Sequence, residues 1–188
     1  MKKIYYFFLS FLFIFCSQPK KKINPKIEIF DNSIESIIDV FSKIEVLADS
    51  ITLPEGPVWD KQSKSLLFVD VAQNKILRWN EEYGVNDFIS PGGNTGYAPN
   101  LGEGLLGPNG MVINEEGKLI VCQHGDRRIA MINNNESSNP DFETVVDNYN
   151  GKRLNSPNDL IISSDGSIFF TDPPFSFFDL NTFSFVDS

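Results

Sequence analysis

Three copies of one short pattern recur along the chain at intervals of roughly fifty residues, and they restrict its possible folds more than its composition does. The copies begin at Pro54, Pro108 and Pro157, and in each the proline precedes a residue with an oxygen-bearing side chain. An apolar strand pattern, a polar or glycine-containing turn and a second apolar strand pattern follow. One such hairpin leaves an apolar face uncovered, so successive copies must stack on one another. A repeat of this length with four strands is typical of one blade of a β-propeller.

The distribution of strand and turn residues favours an all-β fold. Short runs of β-branched and aromatic residues alternate with Gly, Asn, Asp and Pro, which form turns. These runs predict strands at residues 66–71, 75–79, 119–122, 128–132, 160–162 and 168–171. We therefore expect residues 46–188 to form a partial β-propeller of about three blades.

Each repeat carries one oxygen-bearing side chain at the same place, namely Glu55, Asn109 and Asn158. The first strand of each blade lines the propeller axis, so these side chains are expected to converge at one end of the central channel. Carboxylate and amide oxygens are ligands that calcium accepts, with water completing the coordination shell. The sequence has one His and two Cys, which disfavours zinc and copper sites built from those residues. The alternative is that the three motifs only form turns.

The amino terminus has the features of an export signal. Two lysines precede a run over residues 4–15 that is apolar apart from Ser10 and too short for a comfortable membrane span. The run ends at Cys16, which resembles the lipidation site of bacterial lipoproteins, although Phe15 is larger than the residue usual before that cysteine. We expect residues 1–16 to be a signal peptide or lipoprotein leader. The alternatives are a cleavable signal or an uncleaved anchor with an incidental cysteine.

This leader predicts an exported protein of the cell envelope, either periplasmic or attached to the outer membrane through lipid on Cys16. Residues 17–45 are interpreted as a linker and a segment that leads into the propeller. Within that linker, residues 33–44 place apolar side chains at helical spacing and predict one short amphipathic helix.

The charge of the chain bears on its partners. The formal net charge is -9, and an acidic protein repels the phosphate backbone, so nucleic acid is not an expected partner. Two cysteines are too few for a disulfide scaffold, and Cys122 lies in an apolar strand where packing is its expected role.

An ordered series of motifs resembles the regucalcin, gluconolactonase and strictosidine-synthase-like family. The motifs are EGPVW from Glu55, NGM from Asn109, CQHGDRR from Cys122, LNSPND from Leu154 and FTDPP from Phe170. The resemblance covers residues 46–178 and implies a six-bladed propeller with a divalent metal in its central channel. It also implies hydrolysis of aldonolactones and related sugar lactones, usually with calcium and in some members with zinc.

The resemblance implies roles for individual residues. Glu55 and Asn158 match metal-binding positions, and Asn109 matches an asparagine that binds metal-site water or substrate. His124 is either a substrate contact or a hydrogen-bonded structural residue. The family's third ligand, an aspartate that is also the proposed general base, falls beyond Ser188, so no catalytic residue is assigned. We accordingly expect a truncated product or fragment with impaired activity.

The expected function is metal-dependent hydrolysis of a sugar lactone. The alternatives are a non-catalytic surface lipoprotein that binds a sugar or a protein, and an inactive fragment, so the sequence leaves open whether the chain is an enzyme. The glycine-rich loop at residues 91–108 is interpreted either as a substrate lid or as a flexible insertion.

Other side chains are given structural roles. Arg127 and Arg128 are expected in a solvated turn, and the alternative is that they pair with acidic neighbours or a sugar hydroxyl. Asp70 and Asp172 are expected to cap turns, and the alternative for Asp172 is a contact with a second ion. The two tryptophans are expected in the core between blades: Trp59 and Trp79.

Overall fold

The structure, a computed structural model, describes residues 27–99, 104–134, 140–179 and 184–185. The chain divides into two compact units, Met1–Glu45 and Val46–Ser188. The predicted leader and Cys16 lie outside the described residues. Within those described ranges, every helix is too short or too polar to cross a bilayer.

The first unit contains a 3-10 helix at Asn32–Ser36, which is capped by a hydrogen bond of 2.8 Å from the Ser33 N–H to Asp31 Oδ1. The predicted amphipathic helix over residues 33–44 is therefore wrong. Ile37 and Phe41 are 77% and 90% exposed. A helix of that length depends on burial of its apolar face, and these side chains do not provide it.

The second unit begins with two four-stranded antiparallel sheets in which neighbouring strands follow chain order. The first blade consists of β1 (Pro54–Asp60), β2 (Ser65–Asp70), β3 (Lys75–Asn80) and β4 (Gly84–Ile89). The second blade consists of β5 (Pro108–Ile113), β6 (Leu119–Gln123), β7 (Arg128–Ile132) and β8 (Phe142–Val146). The strands predicted at residues 66–71, 75–79, 119–122 and 128–132 correspond to β2, β3, β6 and β7, and their ends differ by at most about one residue.

Shorter hairpins follow the second blade. They pair β9 (Asn148–Tyr149) with β10 (Lys152–Arg153), β11 (Leu160–Ile162) with β12 (Ile168–Phe170), and β13 (Phe178–Asp179) with β14 (Ser184–Phe185). A 3-10 helix at Phe175–Phe177 precedes β13. The β11–β12 hairpin corresponds to the third repeat and confirms the last two predicted strands.

The first strands of consecutive repeats are neighbours, since β5 contacts both β1 and β11. This arrangement places successive sheets side by side around their innermost strands, as a propeller requires. The fold is all-β and is a partial β-propeller, as the repeats predict.

Apolar side chains from both sheets fill the space between the first and second blades. They are Leu67, Val69, Val71, Ile76, Ile89, Met111, Leu119, Val121, Ala130 and Ile132. The opposite face of the second blade packs on the third repeat through Ile120, Cys122, Ile129 and Leu160. Because alternate residues of a strand point to opposite faces, β6 is covered on both sides.

Two packing predictions have different outcomes. Cys122 is fully buried, which confirms its packing role, and burial strongly raises the pKa of its thiol. Trp59 is 49% exposed, so its prediction as a core residue between blades is wrong. The apolar layer is formed by smaller aliphatic residues, and Trp79 is only partly buried.

Candidate functional site

The first strand of each complete blade has an irregularity at its proline motif. The register of β1 against β2 shifts between Glu55 and Val58. The register of β5 against β6 shifts between Pro108 and Met111. A bulge bends the strand and changes the direction of the side chain at that point. The motif therefore produces the same local backbone feature at equivalent places in both blades.

In the third repeat the corresponding motif lies just before β11. The Asn158 N–H donates to the Thr171 carbonyl at 2.9 Å, and the Thr171 N–H donates to the Asp159 carbonyl at 3.0 Å. These bonds extend the pairing of β11 and β12 toward the channel end. Asn158 thereby takes the position that Glu55 and Asn109 have in the first two repeats.

The glycine after each of the first two motif residues permits close approach of neighbouring inner strands. A Cβ atom on Gly56 would lie 2.3 Å from the Asn109 carbonyl oxygen. One on Gly110 would lie 2.8 Å from the Asn158 carbonyl oxygen, to which the Gly110 N–H donates at 2.7 Å. Any larger residue would push the inner strands apart, so the glycines are required by this packing.

Three predicted site residues are joined by side-chain contacts, one within the second blade and one between the second blade and the third repeat. Asn109 Nδ2 donates to Asn158 Oδ1 at 3.0 Å and lies 3.1 Å from His124 Nε2. Asn109 is 6% exposed and His124 is 1% exposed. Residues from β5, from the end of β6 and from the third repeat thus meet at the channel.

Glu55 enters this region through its backbone. Its neighbour Gly56 packs directly on Asn109, while the Glu55 side chain is exposed and accepts a long hydrogen bond of 3.4 Å from the Gly56 N–H. Within the described part of the chain, no hydrogen bond connects the Glu55 carboxylate to Asn109 or Asn158. The Glu55 carboxylate is thus exposed and is not bonded to either asparagine.

The imidazole ring of His124 is held in one tautomer and is neutral at pH 7. Its Nδ1 atom lies 3.2 Å from the Leu105 carbonyl oxygen, which only accepts, so the ring proton belongs on Nδ1. Burial lowers the pKa of His124 to about 4, and the bond to Leu105 opposes this shift. At neutral pH the ring is uncharged and Nε2 accepts. Burial and two bonded nitrogens favour the structural interpretation of His124 over a substrate contact.

The oxygen-bearing side chains of the three proline motifs are of a type that suits a hard divalent cation. Glu55 offers a carboxylate, and Asn109 and Asn158 offer amide oxygens, which are donors of the type that calcium binds. The Oδ1 atom of Asn109 has no hydrogen-bond partner among the described residues. The same residues contain no group of three or more His, Cys, Asp or Glu side chains suited to a metal. A site here would therefore depend on amide oxygens and water in addition to the Glu55 carboxylate.

The glycine-rich loop is fixed to the turn between β6 and β7 at its described residues. Buried Asp126 accepts from the N–H groups of Thr95 at 3.0 Å and Tyr97 at 3.1 Å. The Asp126 N–H in turn donates to the Gly93 carbonyl at 2.9 Å. The part of the loop that precedes residue 100 is therefore anchored rather than open.

The far end of the loop is anchored next to the site. The His124 N–H donates to the Gly107 carbonyl at 3.3 Å, and the Gly125 N–H donates to the Leu106 carbonyl at 3.1 Å. Residues 100–103 of this loop lie outside the described residues, and the choice between a lid and a flexible insertion for residues 91–108 stays a prediction. The loop thus leads into the site with a fixed backbone on both sides of that gap.

The expected solvated turn at Arg127 and Arg128 is wrong. Arg128 is 4% exposed, with its Nη2 atom 3.8 Å from Asp126 Oδ2 and its Nε–H donating to Gln123 Oε1 at 2.6 Å. Its guanidinium stacks on Tyr97, 3.8 Å from the ring centroid. The buried carboxylate that holds the loop needs a nearby positive charge, and Arg128 supplies it.

Arg127 is also engaged. Its Nε–H donates to the Leu154 carbonyl at 2.7 Å, and its guanidinium lies 4.8 Å from the ring centroid of Phe177. This arginine therefore ties the turn between β6 and β7 to the segment before the third repeat.

The two aspartates predicted to cap turns differ in what they bond. Asp70 accepts from the Gln73 N–H at 3.3 Å in the turn after β2, which confirms its capping role, and from the Thr52 N–H at 2.9 Å. Asp172 accepts from the Asn155 N–H at 2.8 Å, 17 positions away, and, among the described residues, not from a turn of its own. Each holds the segment that leads into the first strand of its own repeat. Sequence reasoning missed the comparable role of Asp126, whose one signal is an acid between a glycine and two arginines.

The three repeats lie in a segment of the chain that matches a known protein family. Residues 53–181 match the family described as SMP-30/Gluconolactonase/LRE-like region. The chain belongs to this family. The matched residues of the SMP-30/gluconolactonase family contain all three repeats together with Glu55, Asn109, His124 and Asn158. The resemblance inferred from the motifs is confirmed.

Individual relatives agree with the family. A gluconolactonase from Zymomonas mobilis is 39% identical over 156 residues, which are 83% of this chain and 43% of that protein. The structure of a gluconolactonase from Xanthomonas campestris matches with a TM-score of 0.59 and 31% identity, covering 75% of this chain and 42% of the other. A structural-genomics target grouped with the gluconolactonases has a TM-score of 0.58 and 32% identity, covering 70% and 40%. The chain spans less than half the length of these relatives.

Proposed function

We propose that the chain carries the metal-binding part of a sugar-lactone hydrolase site. Glu55, Asn109 and Asn158 are the proposed protein ligands of a divalent cation, with calcium as the expected ion and zinc as the alternative. The observation that carries this proposal is the bond of 3.0 Å between Asn109 Nδ2 and Asn158 Oδ1, because it joins equivalent positions of two consecutive repeats. The gluconolactonases among the relatives support the substrate class.

The chemistry of the described residues suits binding and orientation. A divalent cation, when bound here, would polarise a lactone carbonyl and make an adjacent water more acidic. Glu55 contributes one negative charge and the two asparagines contribute none, so the bound ion keeps net positive charge toward the substrate. His124 is buried and neutral, and it cannot exchange protons with a substrate in the channel. The proposal therefore assigns no general base to the described residues.

The test is hydrolysis of glucono-δ-lactone by the full chain in a pH-stat, corrected for the spontaneous reaction. Added calcium is expected to stimulate hydrolysis and a chelator to remove it. Glu55→Gln keeps the size of the side chain but loses its charge, so the rate is expected to fall by about a hundredfold. Glu82→Gln, at an exposed turn residue, is the matched control. Equal calcium-dependent rates in both variants would contradict the proposed ligand. Calcium binding without hydrolysis would favour the non-catalytic alternative.

We also propose that the protein is exported to the cell envelope and anchored through lipid on Cys16. The support is the basic start, the short apolar run and the cysteine that ends it. Expression in a bacterial host with an alkyne analogue of palmitate is expected to label the chain. Cys16→Ser should abolish the label and Cys122→Ser should retain it, since these are the two cysteines of the sequence. Label retained in Cys16→Ser would contradict the anchor.

A further inference from the structure

The carboxamide of Asn109 lies between two acceptors. Its Nδ2 atom is 3.0 Å from Asn158 Oδ1 and 3.1 Å from His124 Nε2. An amide nitrogen has two hydrogens, so both contacts can be donated at once. These two bonds use the full donor capacity of the side chain.

The state of His124 follows from its other ring nitrogen. Nδ1 lies 3.2 Å from the Leu105 carbonyl oxygen, and a carbonyl cannot donate. The proton of a neutral ring is therefore on Nδ1, which leaves a lone pair on Nε2 directed at Asn109. If the Asn109 carboxamide were rotated by half a turn, its oxygen would face this lone pair and the oxygen of Asn158. Two repulsive contacts would replace two hydrogen bonds.

We infer that His124 is a positioning residue that fixes the Asn109 carboxamide with its Oδ1 atom presented to the channel and its Nδ2 atom fully engaged. The inference deepens the proposed function and rests on it for the identity of the ligand. In this orientation Asn109 offers only an acceptor, which suits a cation or the hydroxyl group of a sugar lactone. It offers no donor to a lactone carbonyl, so Asn109 does not stabilise the developing negative charge of hydrolysis.

The positioning extends from the glycine-rich loop to the site. Leu105 belongs to the end of the loop, whose backbone also accepts from the N–H groups of His124 and Gly125. The far side of the same loop is held by Asp126. A fixed loop thus sets the tautomer of His124, and His124 sets the orientation of Asn109.

The first test uses the wild-type chain without metal. Nitrogen-15 NMR is expected to show that His124 is protonated on Nδ1 alone, with a through-hydrogen-bond coupling between Nε2 and Asn109 Nδ2. A ring protonated on Nε2, or the absence of this coupling while Asn109 remains ordered, would overturn the inference. This measurement needs no variant and no bound ion.

The second test compares two amide variants of His124. The side chain of His124→Gln is long enough to place an amide oxygen where Nε2 lies, whereas His124→Asn reaches only the Nδ1 position and the Leu105 carbonyl. Calorimetry is expected to give His124→Gln a calcium Kd within about threefold of wild type and His124→Asn a Kd at least about tenfold weaker. KM for glucono-δ-lactone should rise in the same order, with kcat less affected.

The results distinguish failure of the positioning role of His124 from failure of the proposed metal site. Equal affinities in the two variants, or weaker binding by His124→Gln, would show that His124 acts only as a structural support through Leu105, and would overturn the inference. If the wild-type chain binds no calcium but shows the expected NMR coupling, the proposed metal site fails while the orientation of Asn109 stands.

Discussion

The charge state of His124 links the site to the stability of the chain. Burial lowers the pKa of this side chain from 6.5 to about 4. The unfolded chain therefore takes up a proton at His124 below about pH 6.5, whereas the folded chain does so only near pH 4. Proton uptake by the unfolded state lowers the free energy of unfolding across this interval. The contribution of His124 to stability is thus complete above pH 6.5 and is lost toward pH 4.

We expect the free energy of unfolding to fall by about 2 kcal/mol between pH 7 and pH 5 because of His124 alone. Urea denaturation of wild type and His124→Gln at both pH values measures this contribution, since the carboxylates are common to both proteins and cancel in the difference. The same pH dependence in the two proteins would show that His124 titrates normally in the folded chain.

The contacts of Asn109 differ in how far the sequence predicts them. The pairing of Asn109 with Asn158 was predictable because both occupy the same place in consecutive repeats. The contact between Asn109 and His124 was not foreseen, because it depends on the register of β5 against β6, where Pro108 pairs with Gln123. The repeat pattern also does not predict the direction of the Glu55 carboxylate, because the register of β1 shifts at that point.

At the scale of whole elements, the strands that the sequence predicts are those that contain a short run of apolar residues. β2 and β6 are buried at nearly every position, and their continuous apolar runs identify them. Apart from the buried Ile89 at the end of β4, the outer strands β4 and β8 alternate between exposed and half-buried residues. They include polar side chains, so no apolar run marks them. The outermost strand of a blade is covered on fewer sides and carries a weaker signal.

The anchoring of the glycine-rich loop is another feature of this scale that the sequence does not reveal. Asp126 reaches Thr95, which is 31 positions away in the chain, and Arg128 provides the nearby charge. No periodic pattern connects these residues. Their position after a buried strand was compatible with an ordinary solvated turn, and only the packing of the loop over that turn makes them buried.

Asp126→Asn is expected to lower the free energy of unfolding by about 3 kcal/mol, because it leaves the guanidinium of Arg128 buried without its counter-charge. Asp87→Asn is the matched control, since Asp87 forms an exposed ion pair of 2.8 Å with Lys75. Asp87→Asn is expected to lower the free energy of unfolding by less than about 1 kcal/mol. Urea denaturation gives both values, and hydrogen exchange should show faster exchange of the Thr95 and Tyr97 amides in Asp126→Asn. Equal small effects of the two changes would contradict the anchoring role.

At the scale of the whole molecule, the fold follows from repetition. A blade cannot cover its own apolar faces, so the second blade packs on the first through one cluster and on the third repeat through another. The same stacking brings the three inner strands together at their proline motifs, where glycines permit backbone contact. The candidate site is therefore a consequence of the architecture rather than of any single motif.

A double-mutant cycle on calcium affinity tests whether Glu55 and Asn158 share one ion. Glu55→Gln and Asn158→Ala are each expected to weaken calcium binding at least about tenfold. In the double variant, the loss of calcium affinity is expected to be much smaller than the product of the two single losses. This non-additivity is the signature of two ligands on one ion. Unchanged calcium affinity in both single variants, or effects that multiply as for independent sites, would contradict a common metal site at the propeller axis.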